Sequence, residues 1–151
     1  SFVGPNFGFS VTVDESVWTI QDYSADGNDI LDMKAEFAIG TIAGFGAVYD
    51  PASCLELMIG LKVGESALSF DVAPESMARP EPTPGATGEL CVYTVDTEQG
   101  PVELAMYVEC RPLAGGDASL GIALVTVPDA YELAAPEFER VLNGISTGSE
   151  A

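Results

Sequence analysis

The chain contains no histidine. That removes the side chain that titrates near neutral pH, the usual general base and the commonest metal ligand. Neither a Ser-His-Asp nor a Cys-His site can be assembled from its own residues. Three scattered cysteines do not supply a zinc site. Positive charge is scarce: Lys34, Lys62, Arg79, Arg111 and Arg140 stand against 24 Asp and Glu, a net charge of −19. Nucleic-acid binding needs clustered Lys and Arg to displace counterions from phosphates, and these five are spread thinly. An anionic membrane surface would repel the chain for the same reason. The partners that such a surface favours are cationic, a basic protein patch or loosely held metal ions; the plain alternative is a solubility or high-salt surface. No apolar run approaches the length of a bilayer-spanning helix. No signal-peptide pattern opens the chain, since Ser1 leads directly into strand-like sequence, as expected either of a processed start or of a trimmed chain.

What is present is enough for one domain, residues 1–151, with 47% hydrophobic residues to build its core. Phe7, Phe9, Val11 and Val13 alternate with Gly8, Ser10, Thr12 and Asp14, the period of a strand with one buried face. Trp18 is expected on the same core. Asp22 to Asp29 reads as a polar loop turning at Asp26-Gly27. Alternation resumes at Leu31, Met33, Ala35 and Phe37, and Ile39 to Val48 reads as a further strand, weakened or bulged at Gly40, Gly44 and Gly46.

Asp50-Pro51 is a helix start, an N-cap followed by proline at the first helical position. Cys54, Leu57, Met58 and Leu61 recur at helical spacing, and Gly64 is a plausible stop. From Asp71 to Gly88 the chain reads as a long loop bearing Pro74, Pro80, Pro82 and Pro84; such a loop is uncommon inside a compact domain and is often functional. A hairpin follows, Glu89–Asp96 and Val102–Arg111 about a turn at Thr97 to Gly100. In its second strand Val102, Leu104, Met106, Val108 and Cys110 share a face, while Glu103, Tyr107, Glu109 and Arg111 share the other, expected to meet solvent. After a turn at Ala114 to Asp117, Leu120–Val127 is apolar on both faces and suits a central strand covered on both sides. A helix opened by Pro136 and carried by Phe138, Val141, Leu142 and Ile145 ends the chain, closed by Gly144 or Gly148. The predicted class is α+β, an antiparallel sheet of about six strands sandwiched between helices.

With three cysteines, one disulfide leaves one thiol over. Hairpin pairing places Cys91 opposite residue 105 or 106, and Cys91 points with Tyr93 and Val95 while Cys110 sits on the other alternation of its strand; Cys91–Cys110 is therefore disfavoured. Cys54, in the first turn of a helix that must cover a sheet face, and Cys110, on an apolar face, are the favoured pair. Three buried free thiols is the competing reading. A reactive thiol lacks any neighbour that would lower its pKa.

Gly144-Ile145-Ser146-Thr147-Gly148 matches G-x-S-x-G, but it lies at the end of a helix rather than at a strand-to-helix elbow, and no histidine is available to it. Asp22, Asp26, Asn28 and Asp29, with Asp32 beyond them, offer oxygens of the kind that bind Ca²⁺; the spacing is not that of an EF-hand, and a polar glycine turn is the default reading. Phe7, Phe9, Trp18, Phe37 and Phe138 fall at core periodicity. No cofactor signature is present.

Asn6-Phe7-Gly8-Phe9-Ser10, running as a strand toward Trp18, resembles the opening of PsbP-like domains, and Phe138, Val141-Leu142 and Ile145-Ser146 resemble their closing helix. The resemblance spans nearly the whole chain. It implies an α/β/α sandwich around an antiparallel sheet and a mostly non-enzymatic, adaptor-like role, as in bacterial secreted proteins and lipoproteins. Together these readings predict a secreted or surface-tethered, non-catalytic binding or accessory domain with an acidic face, using its proline-rich loop on a protein partner. The alternatives are a structural subunit of a larger surface or membrane-associated assembly, favoured by exposed apolar patches, and a glycoside hydrolase working with two carboxylates.

Overall fold

The computed structural model describes residues 1–46, 51–63, 67–80, 82, 85–113 and 117–147. Along them run β1 (Phe2–Val3), β2 (Ser10–Val11), β3 (Thr19–Asp22), β4 (Asn28–Lys34), β5 (Ile39–Phe45) and α1 (Pro51–Val63). Then come β6 (Ala67–Val72), β7 (Thr87–Thr97), β8 (Gly100–Pro112), β9 (Ser119–Thr126), a 3-10 turn (Pro128–Ala130), α2 (Tyr131–Asn143) and β10 (Ile145–Ser146). The main sheet has seven strands in the order β3-β4-β5-β9-β8-β7-β6, antiparallel throughout, and β1, β2 and β10 form a small sheet of three.

Two meanders, β3-β4-β5 and β6-β7-β8-β9, meet where β5 pairs with β9, Ile42 opposite Ile122. β9 is thus the middle strand, and all eight of its residues are buried. Its two faces serve two cores. Leu120, Ile122 and Leu124 join Phe9, Val11, Trp18, Phe138 and Val141 beneath α2 and the small sheet. Ala123 and Val125 join Cys54, Met58, Met106 and Val108 beneath α1. The layers are therefore α1, main sheet, and α2 with the small sheet, the sandwich that the doubly apolar β9 implied. Gly121 leaves room for the Met58 side chain of α1, which a Cβ there would displace.

The hairpin forms as read, with Thr97 paired to Gly100 and Cys91 to Met106. Directly paired residues share a sheet face, however, so Cys91 lies on the same side as Met106 and Cys110, not on the opposite one. What separates the two cysteines is distance along the ladder. Cys54 and Cys110 are joined, tying α1 to β8 across 56 residues, and Cys91 is a buried free thiol.

Several elements depart from the sequence reading. The alternation at Phe7–Val13 yields only the short β2, with Phe9 and Val11 buried and Phe7 half-buried. β3 is an edge strand whose side chains are mostly exposed, so it has no buried alternation to betray it, and its last residue, Asp22, falls in the stretch read as a polar loop. β6 extends to Val72, which shortens the proline-rich connection to residues 73–86. α2 starts at Tyr131, and Pro136 lies inside it rather than opening it. Its start follows from the 3-10 turn that Pro128 begins. Tyr131, Ala134, Phe138, Val141 and Leu142 form its buried stripe, while Ile145 belongs to β10. The helix start at Asp50, the stop at Gly64 and the turn at 114–116 lie outside the described residues.

The largest correction concerns the polar face of β8. Glu109 and Arg111 are 0% and 4% exposed. They face α2, paired with Ile122 and Leu120. Arg111 Nε donates to Glu109 Oε2 at 2.6 Å, and its terminal nitrogens donate to the Leu142 carbonyl (2.9 Å) and the Ile145 carbonyl (3.1 Å). Tyr107 Oη donates to Glu109 Oε1 at 2.8 Å. Burial first, then the Glu109 carboxylate, drives the Tyr107 phenol far above its ordinary range. Leu142 lies in the last turn of α2, where the helix dipole favours a cation.

Candidate cleft between the proline-rich segment and α2

Residues 73–80 of the proline-rich connection form a folded wall. Ala73 N–H donates to the Leu90 carbonyl, and a turn closes from Met77 N–H to the Pro74 carbonyl at 3.0 Å. The Arg79 guanidinium is wrapped by its own segment, donating to the carbonyls of Ala73, Pro74 and Met77. The buried Tyr131, first residue of α2, donates its hydroxyl to the Ala78 carbonyl and so clasps the segment to the helix. Desolvation raises the Tyr131 phenol above its ordinary pKa; the Arg79 guanidinium opposes this and the Glu139 carboxylate adds to it. Those two charges therefore flank the clasp.

Between this wall and α2 lies a cleft of about 570 Å³. Its apolar lining comes from Met77, Pro80, Pro128, Ala135 and Pro136. Asp129, Glu132 and Glu139 line it as well, all three exposed, and Arg79 is its only basic residue. The volume is in the range of small-ligand and peptide-side-chain pockets. Sequence reasoning found one wall through its prolines and its length. It missed Tyr131, Glu132 and Glu139, because α2 was read as starting after them or, for Glu139, as an ordinary solvent-facing helical position.

A second depression, about 530 Å³, lies at the β4–β5 turn and includes Phe37, Ile39, Leu104 and Val127 beside Lys34 and Glu36. Ile39 and Val127 are among the exposed large apolar residues.

The oxygen-bearing residues around the β3–β4 turn separate into different tasks. Asp29 is fully buried, and its carboxylate accepts from Asn6 N–H, Phe7 N–H and Asn6 Nδ2, the last at 2.7 Å. Asn6 also donates to the carbonyls of Ala25 and Asn28. Asp29 thereby folds the Gly4–Phe9 turn against the sheet. Asp22 accepts from Ser24 N–H at 2.7 Å, and Ser24 hydrogen bonds hold its pKa below the ordinary value. Asp26 and Asn28 are exposed, and Asp32 accepts from Thr41 Oγ1 at 3.0 Å. Among the described residues no three Asp, Glu or Cys side chains converge as metal ligands. Ile145 and Ser146 of the G-x-S-x-G run form β10, immediately after a helix. Cys91 is pushed up to about 11, by burial first and then by Glu89, against a smaller opposing effect of Arg79.

No family model matches the chain, and no curated protein matches it. Among solved structures it is similar to the crystal structure of LpqN, a protein involved in cell envelope biogenesis of Mycobacterium tuberculosis. The TM-score is 0.50 and the identity 10%, over 92% of this chain and 82% of LpqN. At that identity the likeness is one of fold. Among the described residues no helix is long and apolar enough to cross a membrane.

Proposed function

We propose that this chain is an extracytoplasmic, non-catalytic accessory domain of PsbP-like type, and that it holds a protein partner in the cleft between residues 76–80 and α2. The observation that carries the reading is the built wall of that cleft. Residues 73–80, where no helix or strand is described, are held against α2 by the Tyr131 clasp and the Arg79 knot, and an ordered segment of this kind in a long connection is commonly a binding element. The Cys54–Cys110 bond supports an oxidising compartment. LpqN, which shares the fold, is involved in cell envelope biogenesis, and that supports a place in or near an envelope.

A photo-cross-linking residue at Ser76, with the same group at Glu98 on the distant hairpin turn, tests this in the exterior fraction of the source cells. A discrete protein adduct from Ser76 and none from Glu98 is expected. Absence of an adduct, together with polysaccharide cleavage lost on Glu132→Gln/Glu139→Gln, would replace binding by carboxylate catalysis. The depression bordered by Ile39 and Val127 favours a second reading, a subunit of a larger assembly. That reading requires an Ile39→Lys/Val127→Lys variant to lose assembly measured by light scattering.

A further inference from the structure

We infer that the cleft takes a cationic, amphipathic segment of a protein, laying an apolar side chain against Met77 and Ala135 and its lysines or arginines against Asp129, Glu132 and Glu139. This rests on the binding reading above and names the chemistry of the partner.

Three features select that occupant. The first is charge. Three carboxylates line the cleft against one guanidinium, in a chain of net charge −19, so the potential there favours a cation and speeds its encounter. An anion gains little from Arg79, whose guanidinium already donates to three carbonyls of its own segment. A second copy of this chain would bring the same excess of negative charge to the contact. The second is the lining. Met77, with its adaptable thioether, faces prolines and an alanine, which offer apolar area and no hydrogen-bonding side chain. A purely polar cation would leave that area wet, and a purely apolar ligand would strip water from three carboxylates without replacing it. The third is preorganisation. Tyr131 and Arg79 hold the wall in place before any ligand arrives, so binding need not order that wall.

The test is fluorescence anisotropy at low salt with three short labelled peptides: alternating leucine and lysine, leucine and glutamate, and glycine and lysine. The proteins are the wild type, Glu132→Gln/Glu139→Gln, and Glu98→Gln/Glu103→Gln, which removes the same charge from exposed hairpin positions. The leucine–lysine peptide is expected to bind best. Neutralising Glu132 and Glu139 should weaken it about fivefold or more, and added salt should act the same way. The hairpin variant should stay within about twofold of wild type, as fits distant screened charges. Met77→Ala should weaken the leucine–lysine peptide and leave the glycine–lysine peptide unchanged. Equal losses in both charge variants would mean diffuse attraction to the acidic surface and would overturn the inference. Binding of the leucine–glutamate peptide in the cleft would also overturn it while leaving the cleft a binding site. If no peptide binds, the inference fails. The Ser76 adduct then decides the broader reading separately, since it stands with the adduct and falls without it.

Discussion

Replacing Arg111 by methionine should bring the fold close to its limit. The guanidinium is 4% exposed and donates to Glu109 within β8, to the Leu142 carbonyl of α2 and to the Ile145 carbonyl of β10. Methionine fills much of the volume and satisfies none of these groups. Glu109, fully buried, is left with the Tyr107 hydroxyl alone. Removing one member of a buried ion pair costs about 3–5 kcal/mol, because the remaining charge is stranded. The two carbonyls add to this to the extent that water cannot reach them. A domain of this size has about 5–15 kcal/mol of stability in all. With a urea slope of about 2 kcal/mol/M, the unfolding midpoint should fall by about 2 M. The control is Tyr107→Phe/Glu109→Leu/Arg111→Met, which removes the charges and the hydroxyl together. It should recover most of the loss, short of about 1–3 kcal/mol for the unpaired carbonyls. Chemical unfolding followed by Trp18 fluorescence measures all three proteins, since Trp18 packs in the same core and donates to Glu137 of α2. A single Arg111→Met variant within about 1 kcal/mol of wild type would refute the reasoning, for it would show that Glu109 is not stranded by the loss.

Cys54→Ala/Cys110→Ala opens a link spanning 56 residues and should cost about 4 kcal/mol by loop entropy, read as a lower urea midpoint that reducing agent no longer changes. Gly144→Ala would place a Cβ 2.1 Å from the Thr12 carbonyl oxygen, and the Thr12 N–H bond to the Gly144 carbonyl holds the two segments at that spacing. Overpacking against backbone should cost about 1–3 kcal/mol, measured by thermal unfolding. Cys91 should resist iodoacetamide at pH 8 in the native protein and react quickly in denaturant, because only the thiolate is nucleophilic. Its pKa rises from 9.0 to about 11 on folding, so the stability it contributes is whole below pH 9 and is lost as pH climbs through that interval. Tyr93, raised from 10.0 to about 12 by burial, extends the loss upward. Cys91→Ala should flatten the first part of that alkaline decline.

Whatever depends on period and composition was legible before any fold was seen. Apolar alternation in β4, β7 and β8, and the doubly apolar run of β9, specified strands and an order of layers, because a face must be buried wherever apolar residues recur at the period of the element. The hairpin turn set the register that keeps Cys91 beside Met106. The missing histidines and the scarcity of Lys and Arg bounded the chemistry, since no fold can supply side chains that the chain lacks. Tertiary structure decided which face meets what. Glu109 and Arg111 alternate as a solvent face should, yet α2 returns from far along the chain and covers that face, and the carbonyls of Leu142 in α2 and Ile145 in β10 receive the guanidinium. Periodicity identifies two faces of a strand without saying which of them a distant helix covers. β3 escaped because this edge strand buries too little to leave a pattern, and β1 and β10 because two residues cannot show a period; β2 is what remains of the strand read at Phe7–Val13. The proline-rich connection was legible as a segment, but the cleft was not. Its other wall is α2, which the Tyr131 clasp ties to the segment from far along the chain.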